Sequence, residues 1–151
     1  MQAGAAATLT GLVFVAVSIN LNQVISVPGL PGRAGEAVLQ FFEVFLVASA
    51  GLIPRLTEHI YGMYVVAIGL AIWICQASIQ IGYLRKRAGH PWAWFWNRAL
   101  FTQLGTVPFI AGGALLWQGS STGMYFLLPG FLFSFFAGLM SSWVLLVEIL
   151  R

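Results

Sequence analysis

The sequence predicts an all-α protein, a polytopic bundle of transmembrane helices that forms one domain over residues 1–151. Hydrophobic residues make up 60% of the chain and charged residues only 7%, whereas a soluble globular chain has about 25% charged residues. Five apolar segments are each long enough to cross about 30 Å of hydrocarbon, which takes roughly 20 helical residues. Turn-forming or charged segments separate them. The lipid bilayer is therefore the expected solvent.

The five predicted spans follow one another with short connections. The first has no basic residue ahead of its apolar run, which indicates a retained span and not a cleaved signal peptide. The second ends at about Ile53 and is followed by Pro54 and Arg55. The connections between spans read PGLPGR, IPR, RKRAGHP and QGSSTG. The predicted spans cover about residues 5–24, 36–53, 60–84, 96–117 and 124–150.

The basic residues predict the orientation of the bundle. With five spans, six of the seven Lys and Arg residues share one side of the membrane, and Arg55 lies alone on the other. Loops rich in Lys and Arg stay in the cytoplasm. The N-terminus is therefore expected outside and the C-terminus inside. The six residues of the larger group are Arg33, Arg85, Lys86, Arg87, Arg98 and Arg151.

Two features of the last spans concern helix packing. Ser134, Gly138 and Ser142 recur every four residues on the fifth span, and such a stripe of small residues lets another backbone come close. The stripe fits packing within the bundle or an oligomer interface. Pro108 lies inside the fourth span, where it removes a backbone hydrogen bond and is expected to kink or loosen the helix.

A layer of polar side chains is predicted in the inner half of the membrane. Counting about 1.5 Å per residue from the cytoplasmic ends puts Glu43 roughly 10 Å deep and Asn20 on the order of 6 to 10 Å deep. Gln80 and Gln76 come out at about 6 and 12 Å, and Gln103 at about 9 Å. A carboxyl group in hydrocarbon costs about 2.5 to 3.5 kcal/mol unless it faces protein or water. Glu43 is therefore expected to face the interior of the bundle.

This layer has two interpretations. It is either a cytoplasm-facing site for an ion, a proton or a small solute, or a hydrogen-bonded clasp between helices, with each bond contributing about 0.6 kcal/mol. No basic residue lies at the depth of Glu43 to pair with it, which favours a protonatable site. The site candidates are Glu43, Asn20, Gln76, Gln103 and Gln80.

Motifs for other chemistry are not found in the sequence. His59 and His90 are predicted on opposite sides of the membrane, and the chain has no HExxH motif, so no metal site is expected. There is no GxSxG or phosphate-binding glycine loop, so no catalytic residue and no cofactor can be assigned, and nothing argues for an enzyme. The net charge of +3 is too small and scattered for nucleic-acid binding.

The segments SINLNQVISVPGLPGRAGEAVL, residues 18–39, and WVLLVEILR, residues 143–151, resemble a family of small uncharacterised bacterial integral membrane proteins. The resemblance implies a multi-pass protein of the bacterial inner membrane, and some relatives carry a protease-modulator label. It implies no site residues.

Two functions are compatible with these observations. The leading hypothesis is a channel- or carrier-like role for protons, cations or a small solute at Glu43, in a protein that forms a homo-oligomer or joins a larger assembly. The alternative is an accessory or regulatory subunit that packs against a larger membrane complex or protease and transports nothing.

Overall fold

Helices are the only regular elements in the described part of the chain. The computed structural model describes residues 1–26, 29–85 and 92–149, with side chains over 1–26, 29–82 and 99–147. The all-α prediction is therefore confirmed for these residues. The helices are α1 (Gln2–Ile19), α2 (Leu21–Ser26), α3 (Leu30–Ala50), α4 (Glu58–Arg85), α5 (Trp92–Trp117) and α6 (Gly123–Ile149).

Four of these helices are long and apolar enough to cross a membrane. The qualifying segments are Gln2–Ile19, Glu58–Gly82, Ala99–Trp117 and Gly123–Val147. This composition is compatible with the predicted membrane protein. Helix α3 has 21 residues, but it carries three charged residues, Arg33, Glu36 and Glu43, and is not among the four.

The first predicted span does not run unbroken to residue 24. Helix α1 ends at Ile19, and Asn20 has φ −108° and ψ 25°, outside the helical region. The Asn20 side-chain amide donates to the carbonyl oxygen of Ala16 at 3.0 Å. Asparagine side chains compete in this way with backbone hydrogen bonds. The chain resumes as the short helix α2, whose Val24 packs beside Leu30.

Helix α3 begins six residues earlier than the second predicted span. Gly29 adopts a left-handed conformation with φ 98°, and α3 starts at Leu30 with Pro31 in its first turn. Proline is tolerated at this position because the first helical N–H groups have no intrahelical acceptor. Part of the segment that was expected to form a turn is therefore helical. The other three long helices begin or end within four residues of their predicted boundaries.

Helix α3 lies at the centre of the bundle. It packs against α1, α4, α5 and α6. Nine of its residues are buried, whereas α1 buries only Ala6 and Val13. The helix with the most charged residues is therefore the one that the others surround.

The long helices pack most closely at one end of the bundle, which we call the glycine end. A Cβ atom on Gly62 of α4 would lie 2.7 Å from the carbonyl oxygen of Gly113 on α5. A Cβ atom on Gly112 of α5 would lie 2.9 Å from the carbonyl oxygen of Gly123 on α6. Small residues allow such close approach in membrane helix bundles, where van der Waals packing drives association. The buried polar residues lie between the middle of the bundle and the opposite end, where α3 begins.

Candidate polar site

Helix α3 presents three polar side chains to the interior of the bundle. Glu36, Gln40 and Glu43 are spaced four and three residues apart, which places them on one face of the helix. Their exposed fractions are 2%, 1% and 0%. They extend over about 10 Å along the helix axis.

Polar residues of three other helices meet this face. They come from α4, α5 and α6 and are also buried. We call the complete set the polar cluster: Glu36, Gln40, Glu43, Gln76, Gln80, Thr102, Thr106 and Ser134. No Lys, Arg or His side chain is among the buried residues in the described part of the chain.

Glu43 and Gln76 are joined through the hydroxyl group of Thr106. The Thr106 Oγ1 atom lies 2.9 Å from Glu43 Oε2 and 3.3 Å from Gln76 Oε1. These three side chains come from α3, α5 and α4. Glu43 and Gln76 were predicted to share one layer, and Thr106 lies between them.

Two further contacts continue the polar cluster toward the start of α3. The Gln80 Nε2 group donates to Glu36 Oε1 at 3.3 Å. The Gln40 Nε2 group donates to the backbone carbonyl oxygen of Thr102 at 3.3 Å. The amides of this region therefore connect α3 to both α4 and α5.

Four buried polar atoms of the cluster have no hydrogen-bond partner within the described part of the chain. They are Gln40 Oε1, Glu43 Oε1, Gln76 Nε2 and Ser134 Oγ. More than nine in ten buried polar groups in proteins are bonded to protein or to ordered water. Four exceptions in one cluster indicate that it has hydrogen-bonding capacity left for a molecule or ion other than protein.

Two predicted site residues lie apart from the polar cluster. Asn20 forms its hydrogen bond to Ala16 at the end of α1, on the exposed surface. Gln103 is only half-buried, and its Oε1 atom accepts a hydrogen bond of 2.8 Å from Trp73 Nε1. The depth count places both residues at about the level of Glu43, but their hydrogen bonds go to Ala16 and Trp73, outside the cluster.

Five members of the cluster were not predicted as site residues. Glu36 was assigned to the edge of the second span because the start of α3 was placed too late, and Ser134 was assigned to packing. The spacing of Glu36, Gln40 and Glu43 was the signal that could have identified the polar face of α3. Thr102 and Thr106 show the same four-residue spacing on α5. Threonine is common on helix surfaces, so that signal is weak by itself.

The residues predicted to pack helices contact other parts of the same chain. A Cβ atom on Gly138 would lie 2.6 Å from the ring of Phe41, so this glycine makes room for α3. Ser134 is fully buried, and the Ser142 hydroxyl donates to the Gly138 carbonyl oxygen at 2.8 Å. Pro108 lies within α5, which continues on both sides of it.

An apolar layer separates the polar cluster from the glycine end. Val44 follows Glu43 directly, Phe109 is three residues beyond Thr106, and Phe131 is three residues before Ser134. The rings of Phe109 and Phe131 meet edge to face with centroids 5.0 Å apart. The layer consists of Val44, Val47, Phe109, Leu127 and Phe131, all in one buried apolar cluster.

A cavity of about 500 Å³ lies on the other side of this layer, at the glycine end. Leu127 and Phe131 line it together with Ala48 and Tyr61. None of its lining residues belongs to the polar cluster. Apolar side chains therefore separate the polar cluster from this cavity.

Comparison with family models, curated proteins and solved structures found no match for this chain. The family resemblance inferred from residues 18–39 and 143–151 therefore stays a prediction.

Proposed function

We propose that the protein is a small carrier of the bacterial inner membrane that takes up a proton at Glu43. All five long helices cross the membrane in this proposal, with the start of α1 outside and the end of α6 in the cytoplasm. The distribution of basic residues supports this orientation. The burial of Glu36 and Glu43 supports a membrane position for α3, because both carboxyl groups face protein and not lipid.

The contact of Glu43, Thr106 and Gln76 is the observation that supports a proton as the ligand. Thr106 has a single hydroxyl proton, yet its neighbours at 2.9 and 3.3 Å are both oxygen atoms. If Glu43 is ionised, that proton can satisfy only one of the two contacts. If Glu43 is protonated, Glu43 donates to Thr106, Thr106 donates to Gln76, and both contacts become hydrogen bonds.

The ionised form of Glu43 can be satisfied by a rotation of the Gln76 amide group. Amide oxygen and nitrogen are assigned from the hydrogen-bond network, and the Gln76 Nε2 group has no partner in the present orientation. After half a turn, Gln76 donates to Thr106 and Thr106 donates to ionised Glu43. The same three side chains thus form a complete chain of hydrogen bonds in both protonation states.

The levels along the bundle axis support loading from the cytoplasmic side. Glu36 and Gln80 lie between Glu43 and the start of α3, so polar groups continue in that direction. Toward the glycine end, the next side chains are Val44, Phe109 and Phe131. A proton at Glu43 therefore meets polar groups on one side and an apolar barrier on the other. This arrangement suits a carrier with alternating access better than an open pore.

Proton flux into liposomes tests this function. Purified protein is reconstituted with a pH-sensitive dye inside, and a pH step is applied outside. We expect wild-type flux above that of empty vesicles and a fall to the empty-vesicle level for Glu43→Gln. Glu58→Gln is the control, because Glu58 is an exposed carboxylate at the opposite end of the bundle. Equal flux for Glu43→Gln and wild type, or no wild-type flux, would refute the proposal.

Cysteine labelling tests the orientation separately. In a Cys75→Ser background, Ala88→Cys introduces the only thiol, in the RKRAGHP connection. We expect an impermeant thiol reagent to label it only after the cells are permeabilised. Labelling in intact cells would contradict the proposed topology.

An accessory role is the second candidate function, and the surface around α1 favours it. A groove of about 390 Å³ between α1 and α6 is lined almost entirely by apolar side chains, including Leu12, Met140 and Trp143. A partner helix could occupy such a groove. Affinity purification in mild detergent should then recover a stoichiometric partner of a different sequence, and recovery of this chain alone would count against the role.

A further inference from the structure

A pair of polar side chains lies on the outer surface of α4 and α5, away from the polar cluster. The Trp73 Nε1 group donates to Gln103 Oε1 at 2.8 Å. Trp73 is exposed and Gln103 is half-buried. Tryptophan in membrane proteins is usually found at the two interfaces, whereas Trp73 lies near the middle of the predicted span 60–84. Its indole N–H therefore needs an acceptor at a depth without water, and Gln103 supplies it.

The contact with Trp73 determines which end of the Gln103 amide faces α4. An indole N–H can only donate a hydrogen bond. Turning the amide over would place its NH₂ group against that N–H, and two donors repel each other. The Gln103 Oε1 atom therefore faces Trp73. The Nε2 group is left without a hydrogen-bond partner in the described part of the chain.

Other polar side chains on the exposed surfaces of the helices bond to their own helix. The Asn20 amide donates to the carbonyl oxygen of Ala16, and the Ser78 hydroxyl donates to that of Ile74. The Gln103 Nε2 group makes no such bond. Counting from the end of the predicted span places Gln103 about 9 Å inside the hydrocarbon, where lipid tails offer no acceptor. The acceptor for this amide is therefore expected on another protein helix.

The surface around Gln103 is apolar. Its residues recur at three- and four-residue intervals on each helix, so they form one continuous face. Apart from the bonded pair, every member is an exposed aliphatic residue. We call it the α4–α5 face: Leu70, Trp73, Ile74, Gln103, Leu104 and Val107. It carries no charge that would select a partner by ion pairing, so the Gln103 amide is its one specific feature.

A second copy of this chain suits the chemistry of Gln103. A carboxamide group has both donors and an acceptor, and its oxygen has two lone pairs. After accepting from Trp73, Gln103 Oε1 can still accept a second hydrogen bond. Copies that are inserted with the same orientation are related by a twofold axis along the membrane normal, so the same residue of each copy lies at the same depth. Twofold dimers of this kind are the commonest oligomers.

The small residues that the sequence offered for an oligomer interface are already used inside the chain. Ser134 is fully buried, and Gly138 makes room for the ring of Phe41. They therefore leave the α4–α5 face as the better candidate for contact between copies.

We propose that two copies of this chain associate through the α4–α5 face, with their Gln103 carboxamides hydrogen-bonded to each other across the twofold axis. Each Nε2 group donates to Oε1 of the other copy, and each Oε1 atom also accepts from its own Trp73. The aliphatic side chains around this pair pack against their counterparts. The dimer does not depend on the proposed carrier function, because the face lies outside the polar cluster.

Sedimentation equilibrium in density-matched detergent tests the dimer. Purified protein is measured over a range of protein-to-detergent ratios, and we expect wild type to show a monomer–dimer equilibrium. Gln103→Leu should raise the dissociation constant about tenfold, because two hydrogen bonds between helices are lost. Gln118→Leu is the matched control, since it makes the same exchange at an exposed position between α5 and α6. The thermal unfolding midpoint of each variant shows that it remains folded.

Disulfide cross-linking in native membranes tests the face with Gln103 in place. In a Cys75→Ser background, Val107→Cys introduces one thiol on the α4–α5 face, one turn from Gln103. We expect an oxidant to produce a covalent dimer, and adding Gln103→Leu should reduce its yield. Val15→Cys is the control, because Val15 is exposed on α1, which packs mainly against α3.

Four results would overturn the dimer. The first is a wild-type protein that stays monomeric in detergent and does not cross-link through Val107→Cys in membranes. The second is an unchanged dissociation constant for Gln103→Leu, which would place the interface elsewhere. The third is equal cross-linking of Val15→Cys and Val107→Cys, which would indicate random collision. The fourth is cross-linking of Val107→Cys to a different protein alone, which would make that protein the occupant of this face. None of these measurements uses proton flux, so they are independent of the carrier function.

Discussion

Helices α1 and α3 pack against each other, but they differ in what their residues face. Helix α1 is almost entirely apolar and mostly exposed, whereas α3 buries both polar and apolar side chains inside the bundle. Only 6% of the apolar stretch of α1 is buried in the protein, and its exposed side chains include Leu12, Phe14 and Ile19. Helix α3 buries nine residues, among them Glu36, Gln40 and Glu43. In a bilayer, lipid is as apolar as leucine, so hydrophobic side chains gain little from facing protein. The polar residues are therefore the better guide to which helix face lies inside.

The largest expected effect concerns the apolar packing of α3. Phe41 is fully buried and contacts both Gly138 and the ring of Phe135. Phe41→Ala should lower the free energy of unfolding by about 3 to 5 kcal/mol, because removal of the Phe41 ring leaves a cavity inside the protein. Phe14→Ala on α1 should have little effect, because Phe14 is 66% exposed and its side chain gains little contact with the rest of the protein on folding. Reversible unfolding in mixed detergent micelles measures both. Similar losses for the two variants would show that α1 is held as tightly as α3.

A smaller effect is expected for the polar contacts. Thr106→Val keeps the shape of the side chain but removes the hydroxyl group that lies between Glu43 and Gln76. Leaving buried polar groups unsatisfied costs about 1 to 3 kcal/mol. Thr10→Val on α1 removes only a bond to the helix's own backbone at Ala6 and should change the free energy by less than about 0.5 kcal/mol. The same unfolding assay applies. Equal values would mean that the Thr106 contact contributes nothing to the association of α3 with α5.

The smallest effect should be a stabilisation in both helices. A Cβ atom on Gly35 of α3 would lie 3.5 Å from the Ile79 side chain, an ordinary van der Waals contact, and one on Gly11 of α1 would meet nothing within 4 Å. Alanine favours the helix over glycine by up to about 1 kcal/mol. Gly35→Ala and Gly11→Ala should therefore each raise the unfolding free energy by that amount or less. Destabilisation by Gly35→Ala alone would indicate that α3 and α4 pack more closely than the distance to Ile79 implies.

The sequence was a better guide to the position of the polar residues along the helix axes than to which of them belong to the polar cluster. Counting residues from the span ends predicted Glu43, Gln76 and Gln80 to lie within about 6 Å of one another along the membrane normal, and all three are in the polar cluster. The same count admitted Asn20 and Gln103, which lie elsewhere. Depth specifies only the position along a helix, while direction turns by about 100° per residue. A boundary that is wrong by one residue leaves the depth almost unchanged but rotates the inferred face.

Direction around the axis could have been predicted for α4, from the four-residue spacing of Gln76 and Gln80, and for α3. There the spacing of Glu36, Gln40 and Glu43 marks one face, but the late predicted start of the span concealed it. On α5, Thr106 and Gln103 are three residues apart, and nothing local distinguishes the residue that faces Glu43 from the one that bonds Trp73. The role of Ser134 could not be predicted either, because small residues on membrane helices usually serve helix packing and only rarely a polar site.

Composition and the lengths of the apolar segments determined that this chain is helical and suited to a membrane. The physical reason is that hydrocarbon offers the backbone no hydrogen-bond partners, so a spanning segment must satisfy its own N–H and C=O groups within a helix. Only the tertiary structure decided which polar side chains meet Glu43, and that Gln40, Gly105 and Ser134 come together. These contacts depend on the orientation of four helices about their own axes. That orientation is set by packing between residues far apart in the chain.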